Sequence, residues 1–464
     1  MTDQGFFVEQ FVDTGLGNSS YLVGSYDTKL AVLIDPLRDV DHYIAAAERN
    51  SVQLVSVLDT HVHADFVSGA REIANHTGAV IGASKEAGLG FDHQPLVEGD
   101  ELPLGSFTLK VMETPGHTPE HISFLITAED GRTPSALFSG GALIVGGAAR
   151  TDLLGHDLSI PLARRLYHTL QHKLMPLPDE VSVYPTHGAG SFCVAPASAD
   201  RVTTIGRERQ TNALAQPQSE EDFVQRALSG LPSYPYYYRY MRGINQRGPS
   251  LLGGLPILPP LAAQEVNELM AKGALILDVR RKRPFTEAHI PGAFGIMVQA
   301  PLVVWAGWLI PFNAPLILVA ENTDQRLDAE RQLIRIGYDN LRGYLDGGIE
   351  SWVAAGYEVE SVPTLSVAEL RERRNSGEKL IALDVRQDSE WRAGHIPGAT
   401  HIENGRLPYD QLTLPHDQPI AIYCASGSRS LAGYSVLRRL GYHNLINVKG
   451  GFDAWEQAGF EVEH

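Results

Sequence analysis

Cysteine is nearly absent from this chain: 464 residues hold two, Cys193 and Cys424. Two thiols cannot build a disulfide framework, and such sparing use fits a reducing compartment, so a cytoplasmic location is expected. Positive charge is also short, with 38 Lys and Arg against 55 Asp and Glu and a formal net charge of −17. No run of Lys or Arg breaks that balance, which argues against nucleic acid and anionic membrane as partners. No uninterrupted apolar stretch approaches the ~18 residues of a membrane span. The start, Met1 to Phe11, carries no basic segment followed by an apolar one, so no signal peptide is expected. With 43% hydrophobic and 20% charged residues the composition is that of an ordinary globular protein. Its length exceeds what one core supports and predicts two or three domains.

Cys424 stands in the loop Cys424-Ala425-Ser426-Gly427-Ser428-Arg429-Ser430, between the apolar run Ile420–Tyr423 and a helical pattern from Leu431. A strand, a tight cradle and a helix start surround a cysteine there with backbone N–H groups, the positive end of a helix dipole and the Arg429 guanidinium. All three favour thiolate over thiol, and the same cradle can hold the outer sulfur of a persulfide.

This unit is the second of an internal repeat. Leu277-Asp278-Val279-Arg280 matches Leu383-Asp384-Val385-Arg386, and His289-Ile290-Pro291-Gly292-Ala293 matches His395-Ile396-Pro397-Gly398-Ala399. Each copy reads as a parallel-sheet unit, and a gapless alignment of the Pro315 and Pro419 runs puts Ala320 at the position of Cys424. The first copy lacks a nucleophile, and Glu321 and Asp324 bring acid where the second has small polar residues, so a structural role is expected for it. Asp384 and Arg386 are expected to pair and fix a turn. The Asp-Val-Arg strand end, the His-Ile-Pro-Gly-Ala turn and the Cys-x-x-Gly-x-Arg-Ser loop together resemble the rhodanese family. That resemblance implies a sulfurtransferase in which Cys424 takes sulfane sulfur from a donor and passes it to an acceptor, with Arg429 and the loop Ala425, Ser426, Gly427, Ser428 and Ser430 around it.

The N-terminal part alternates short apolar runs with Gly-rich turns and helical stretches from Phe6 to about Val194, a mixed α/β pattern. Three of those runs end in histidine loops: Thr60-His61-Val62-His63-Ala64-Asp65, Thr114-Pro115-Gly116-His117-Thr118-Pro119 and Tyr184-Pro185-Thr186-His187-Gly188. Imidazoles on loops at the ends of buried strands suit a metal held at a sheet edge. These segments resemble the metallo-β-lactamase fold, and with Gly-x-x-Arg150-Thr151-Asp152 they look like the persulfide dioxygenases within it. The resemblance implies an αββα sandwich and a mononuclear Fe(II) site on His61, His63, Asp65, His117 and His187. Arg150 becomes a candidate for binding the carboxylate of a thiol carrier, and Cys193 a neighbour of the metal loop. Two positions depart from the pattern: Phe66 replaces a histidine, and Gly141 stands where a ligand aspartate is expected. Losing that oxygen weakens a hard Fe(II) site and leaves imidazoles that suit Zn(II).

The expected architecture is α/β multidomain: a metallo-β-lactamase-like domain over 1–230, an extended linker over 231–260, a cysteine-less rhodanese-like domain over 261–361 and an intact one over 362–464, the last two with parallel sheets. Residues 195–228 read as helical and polar, and Tyr234 to Tyr240 as linker packing. The order resembles bacterial fusions of persulfide dioxygenase and rhodanese. It implies a low-molecular-weight thiol persulfide or thiosulfate as partner, a protein thiol as a further acceptor, and a homo-oligomer. Three readings of the N-terminal domain follow: a dioxygenase coupled to Cys424, a binding module that presents a sulfur carrier, and a Zn-dependent thiolester hydrolase of the glyoxalase II type.

Overall fold

The computed structural model describes residues 5–128, 133–193, 199–299 and 302–464. The chain forms two compact units, one running to Leu255 and one from Pro256, apart from Ile334–Gly337, which group with the first.

Two six-stranded sheets face each other in the first unit. One runs in chain order from Phe6–Asp13 to Gln94–Leu96, and the other orders the later strands from Thr203–Thr204 back to Glu101–Pro103. Alternation along the strands explains the stacking. In Phe107–Glu113 every second residue is buried, and Phe107, Leu109 and Val111 meet Tyr21, Val23, Val32 and Ile34 of the other sheet in one core. The outer face of the first sheet packs Leu22, Leu33 and Val57 against Tyr43, Ala46 and Ile73 of its helices, and that of the second packs Leu137 and Val183 against Leu166 and Leu170. This is a layered αββα sandwich.

The histidine loops follow from strand direction. Gln53–Leu58 runs parallel to both its neighbours, and Ser182–Pro185 runs parallel to Pro134–Gly140. Thr60 to Asp65, Gly141 and His187 therefore all leave their strands at carboxyl ends. The helices Ile205–Thr211 and Glu220–Leu228 start where Thr204 and Ser219 accept the backbone N–H groups of Arg207 and Asp222. Residues 195–198 of the expected helical stretch lie outside the described residues. The stretch expected as an extended linker instead contains the helix Tyr238–Arg247, which ends at Gly248 and buries Tyr238, Met241 and Asn245. Tertiary burial of one face, which a Tyr-rich sequence between turn signals does not announce, makes it helical.

The second unit holds two five-stranded parallel sheets of the same order, one from each repeat. In the first, Asp278 pairs with Val319; in the second, Asp384 pairs with Tyr423. Ala320 and Cys424 are thus the next residue after equivalent strand positions. Both copies lock the strand end identically: Arg386 donates to both Asp384 carboxylate oxygens at 2.7–3.0 Å and to Gly394 O at 2.7 Å, and Arg280 does the same with Asp278 and Ala288 O.

Candidate active sites

Cys424 lies immediately beyond the strand Ile420–Tyr423, 1% exposed. The loop then turns back over its sulfur: Gly427 N–H donates to Sγ at 3.2 Å, and Ser430 Oγ lies 3.6 Å away. Gly427 has φ +84°, a left-handed conformation suited to glycine that aims the N–H inward. The helix Arg429–Arg439 begins two residues later, so its amino end faces the same cradle. Arg429 does not reach into the loop alone, because its two terminal nitrogens donate to both oxygens of Glu390 at 2.6 Å. Burial works against the Glu390 charge, and the Arg429 guanidinium outweighs it and lowers the carboxyl below its ordinary range. Glu390 escapes sequence reasoning because the pair spans 39 positions.

In the first copy the helix starts at Thr323, nearer the strand than in the second copy. Glu321 is also not a free charge. Its carboxylate accepts the Arg281 backbone N–H at 2.8 Å and the Arg281 guanidinium at 2.6–3.2 Å.

In the N-terminal unit, His61, His117 and His187 are buried, with ligating atoms within 4.8 Å of one another. Their tautomers follow from their neighbours. Thr60 Oγ1 donates to Asp35 Oδ2 at 2.8 Å, so the hydroxyl oxygen receives the proton of His61 Nδ1 at 2.9 Å. His117 Nδ1 donates to Arg150 O at 2.6 Å, and His187 Nδ1 donates to Asn18 Oδ1 at 3.1 Å. All three rings keep an Nε2 lone pair for a shared ligand, with the outer nitrogen pinned as metal-binding histidines require. Burial, with His63 for His61 and His187 for His117 as the next cause, lowers both pKa values, that of His117 to about 3.

His63 and Asp65 form a second group with His187, again within 4.8 Å. His63 Nε2 donates to Asp35 Oδ1 at 3.2 Å, and among the described residues its buried Nδ1 and the buried Asp65 Oδ1 have no partner. Burial pushes the Asp65 carboxyl up, and His187, His63 and Asn18 together hold it low. The three convergent imidazoles fit a divalent cation, and His63 with Asp65 forms a separate group on the far side of His187.

Gly141 supplies no oxygen, and the packing explains its size: a Cβ there would lie 2.7 Å from His117 Cδ2 and 2.9 Å from Ala149 Cβ. Phe66 is fully buried and stacks on His63 with ring centroids 4.1 Å apart. A fifth histidine, His121, lies four residues after His117. It accepts Gly141 N–H on Nε2 at 2.9 Å and therefore donates from Nδ1 to Thr114 Oγ1 at 2.8 Å, so it has no lone pair to offer. The helix Tyr238–Arg247 straps the loops: Asn245 donates to His63 O and Phe66 O, Arg242 pairs with Glu120, and Glu120 accepts Val62 N–H. Tyr237 Oη donates to Asp65 O at 2.5 Å.

Arg150, the candidate for a substrate carboxylate, spends its guanidinium on Asp152 at 2.6 and 2.7 Å and on Phe192 O and Pro232 O at 3.1 and 2.8 Å. Cys193 is fully buried, with Sγ 4.0 Å from Tyr238 Oη, and burial pushes its thiol well above the ordinary value.

Comparison with known proteins finds both kinds of domain. Residues 13–187 match the metallo-beta-lactamase superfamily, and residues 262–355 and 366–458 each match the rhodanese-like domain. The mitochondrial persulfide dioxygenase ETHE1 of Mus musculus is 30% identical over 190 residues, covering 39% of this chain and 68% of that protein. A hydroxyacylglutathione hydrolase of Polaromonas sp. is 35% identical over 174 residues, 37% of this chain and 62% of that protein. The crystal structure of a metallo-beta-lactamase from Staphylococcus aureus subsp. aureus COL is 31% identical, covers 73% of this chain and 98% of that one, and superposes with a TM-score of 0.66. The Cys424 copy, with its buried cysteine, is a sulfurtransferase domain of the rhodanese type. The chain belongs to the metallo-beta-lactamase superfamily, is related to persulfide dioxygenases, and carries two rhodanese-like domains later in its sequence.

Proposed function

We propose that this protein moves sulfane sulfur through Cys424. The Cys424 thiolate attacks the outer sulfur of a persulfide RS–SH, the S–S bond breaks, and RS⁻ leaves while the enzyme becomes Cys–S–SH. Loss of the proton gives Cys–S–S⁻, and a nucleophilic acceptor then takes the outer sulfur and returns the thiolate. No net oxidation occurs. The observation that carries this reading is the Gly427 N–H aimed at Sγ at 3.2 Å within a loop that opens a helix. It supplies a fixed donor where anionic sulfur must rest.

For the N-terminal unit we propose a metal held by His61, His117 and His187, with Asp65 behind His187, in a site that binds iron weakly for want of a carboxylate at Gly141. When bound, the metal would supply Lewis acidity or oxygen chemistry. The chain's own contribution is to pin each Nδ1, hold His61 and His117 neutral and bury the cluster. The names of the relatives, a persulfide dioxygenase and a hydroxyacylglutathione hydrolase, support a thiol-carrier substrate for this domain.

The test is incubation of the full chain with glutathione persulfide, followed by mass analysis and trapping with cyanide. One extra sulfur on the C-terminal part, released as thiocyanate, is expected. Cys424→Ser should abolish both, and Cys193→Ser should abolish neither. Full transfer by Cys424→Ser would overturn the reading.

A further inference from the structure

The cysteine-less copy faces the working one across a cavity of about 460 Å³. The helix Lys282–Glu287 of the first copy supplies one wall, and Ser426, Gly427 and the segment Asn447 to Gly450 of the second supply the opposite one. Gly427 is the residue whose N–H touches the Cys424 sulfur, so the cavity begins one residue from the reacting atom. Lys282 Nζ crosses it and donates to Ser426 O at 3.1 Å.

Its charge is opposite to that of the chain as a whole, which carries −17. Lys282, Arg283 and Lys449 line it against a single acid, Glu287, and Glu287 is taken by Arg283 at 2.7 Å. Two ammonium groups remain, one from each copy. The wall also contains Asn447, 4% exposed, whose buried Oδ1 has no hydrogen-bond partner among the described residues. An acceptor left unpaired beside two cations suits a ligand that brings both negative charge and an N–H group. The volume falls within the range of small-molecule sites and is far more than a five-atom oxyanion requires.

Taking Cys424 as the sulfur carrier, we infer that the cysteine-less repeat is a binding element of the Cys424 site: Lys282, with Lys449 and Asn447, recognises the carboxylates and peptide N–H of an anionic thiol carrier of tripeptide size. The first copy has lost its nucleophile and keeps a specificity role. Anionic sulfur compounds share the charge that Lys282 reads, and size separates a small dianion such as thiosulfate from a peptide thiol.

The experiment measures steady-state transfer to cyanide by the full chain with three donors: glutathione persulfide, thiosulfate and an uncharged alkyl persulfide. Lys282→Gln should raise KM for glutathione persulfide roughly three- to tenfold while kcat stays within about twofold, as expected of an ionic contact that steers and holds the donor. Lys449→Gln should act in the same direction, Lys282→Arg should restore most of the affinity, and KM for the uncharged donor should not move. Asn447→Leu should raise KM for glutathione persulfide and leave that for thiosulfate unchanged. Lys379→Gln, an exposed lysine of the second copy, is the control. An unchanged KM for glutathione persulfide in Lys282→Gln, or equal losses with charged and uncharged donors, would overturn the inference. An equal effect of Asn447→Leu on thiosulfate would overturn the peptide-sized assignment. Failure of the underlying reading looks different: transfer would then survive Cys424→Ser, whatever the donor charge.

Discussion

Glu390 clamps Arg429 with two parallel contacts of 2.6 Å, so the one guanidinium in the Cys424 loop is neutralised before any sulfur arrives. The pair is partly exposed, 33% for the acid and 21% for the arginine, which places its worth between a surface ion pair and a buried one. About 1–2 kcal/mol is a reasonable scale.

Glu390→Gln should therefore lower the stability of the C-terminal unit by about 1–2 kcal/mol at neutral pH. The Glu390 carboxyl is lowered on folding, so its contribution is present above the unfolded carboxyl range and lost as pH falls through the folded value. Thermal melts of the two proteins should differ at neutral pH and converge in acid. A gap that persists in acid would mean that the ion pair is not its source.

The two copies predict the outcome of a graft. Ala320→Cys should form no persulfide, because Thr323 occupies the place of Gly427 and already begins a helix, and because Glu321 with Arg281 fills the start of the loop. In the working copy, Gly427→Ala should cut transfer at least roughly tenfold: φ is +84° and the added Cβ would sit 3.3 Å from Val448 O, so the N–H must turn away from the sulfur. Persulfide mass shifts on both variants measure this.

In the proposed metal site His117 is a ligand and His121 is scaffold, and substitutions separate the two roles. His117→Ala should empty the metal site, since it removes one of three convergent Nε2 atoms. His121→Ala should keep metal but cost about 1–3 kcal/mol, because Gly141 N–H loses its buried acceptor. Gly141→Ala should also lower metal content, by driving a Cβ into the His117 ring. Metal content by elemental analysis, set beside melting temperature, distinguishes the three.

What was legible in the sequence was whatever is local. Strand, loop and helix start around Cys424 lie within a dozen residues, and each histidine loop follows its strand directly, so residue type and spacing sufficed. What was not legible depends on contacts between distant segments. Asp35 accepts from Thr60, Thr186 and His63, a hub that only the folded sheet assembles. Asn245 reaches His63 O across 182 positions from a segment whose composition reads as linker. The role of Lys282 depends on one repeat packing against the other. His121 is the intermediate case: it was visible four residues after His117, but which of the two rings faces the cluster depends on Gly141 N–H and Thr114.

Asp59 provides the pH test. It lies beside His63 and Asp35 at the end of the strand Gln53–Leu58, and both its oxygens accept from Ser68 Oγ, at 3.0 and 2.8 Å. Burial pushes its carboxyl up to about 6, with Asp35 adding to the rise and His63 opposing it. A raised carboxyl means that the folded state holds the proton more tightly than the unfolded chain does. Ionising it then removes stability as pH climbs from the unfolded value to about 6, after which the loss is constant. Asp59→Asn keeps an acceptor for Ser68 and removes the charge. In chelator-treated protein it should raise the stability of the N-terminal unit by up to about 3 kcal/mol above roughly pH 7, and by almost nothing near pH 4. Calorimetric melts at the two pH values decide the matter. A variant less stable than the parent at the higher pH would show that the Asp59 charge is needed, which fits a cation held jointly with Asp35 and His63 rather than a carboxylate that burial destabilises.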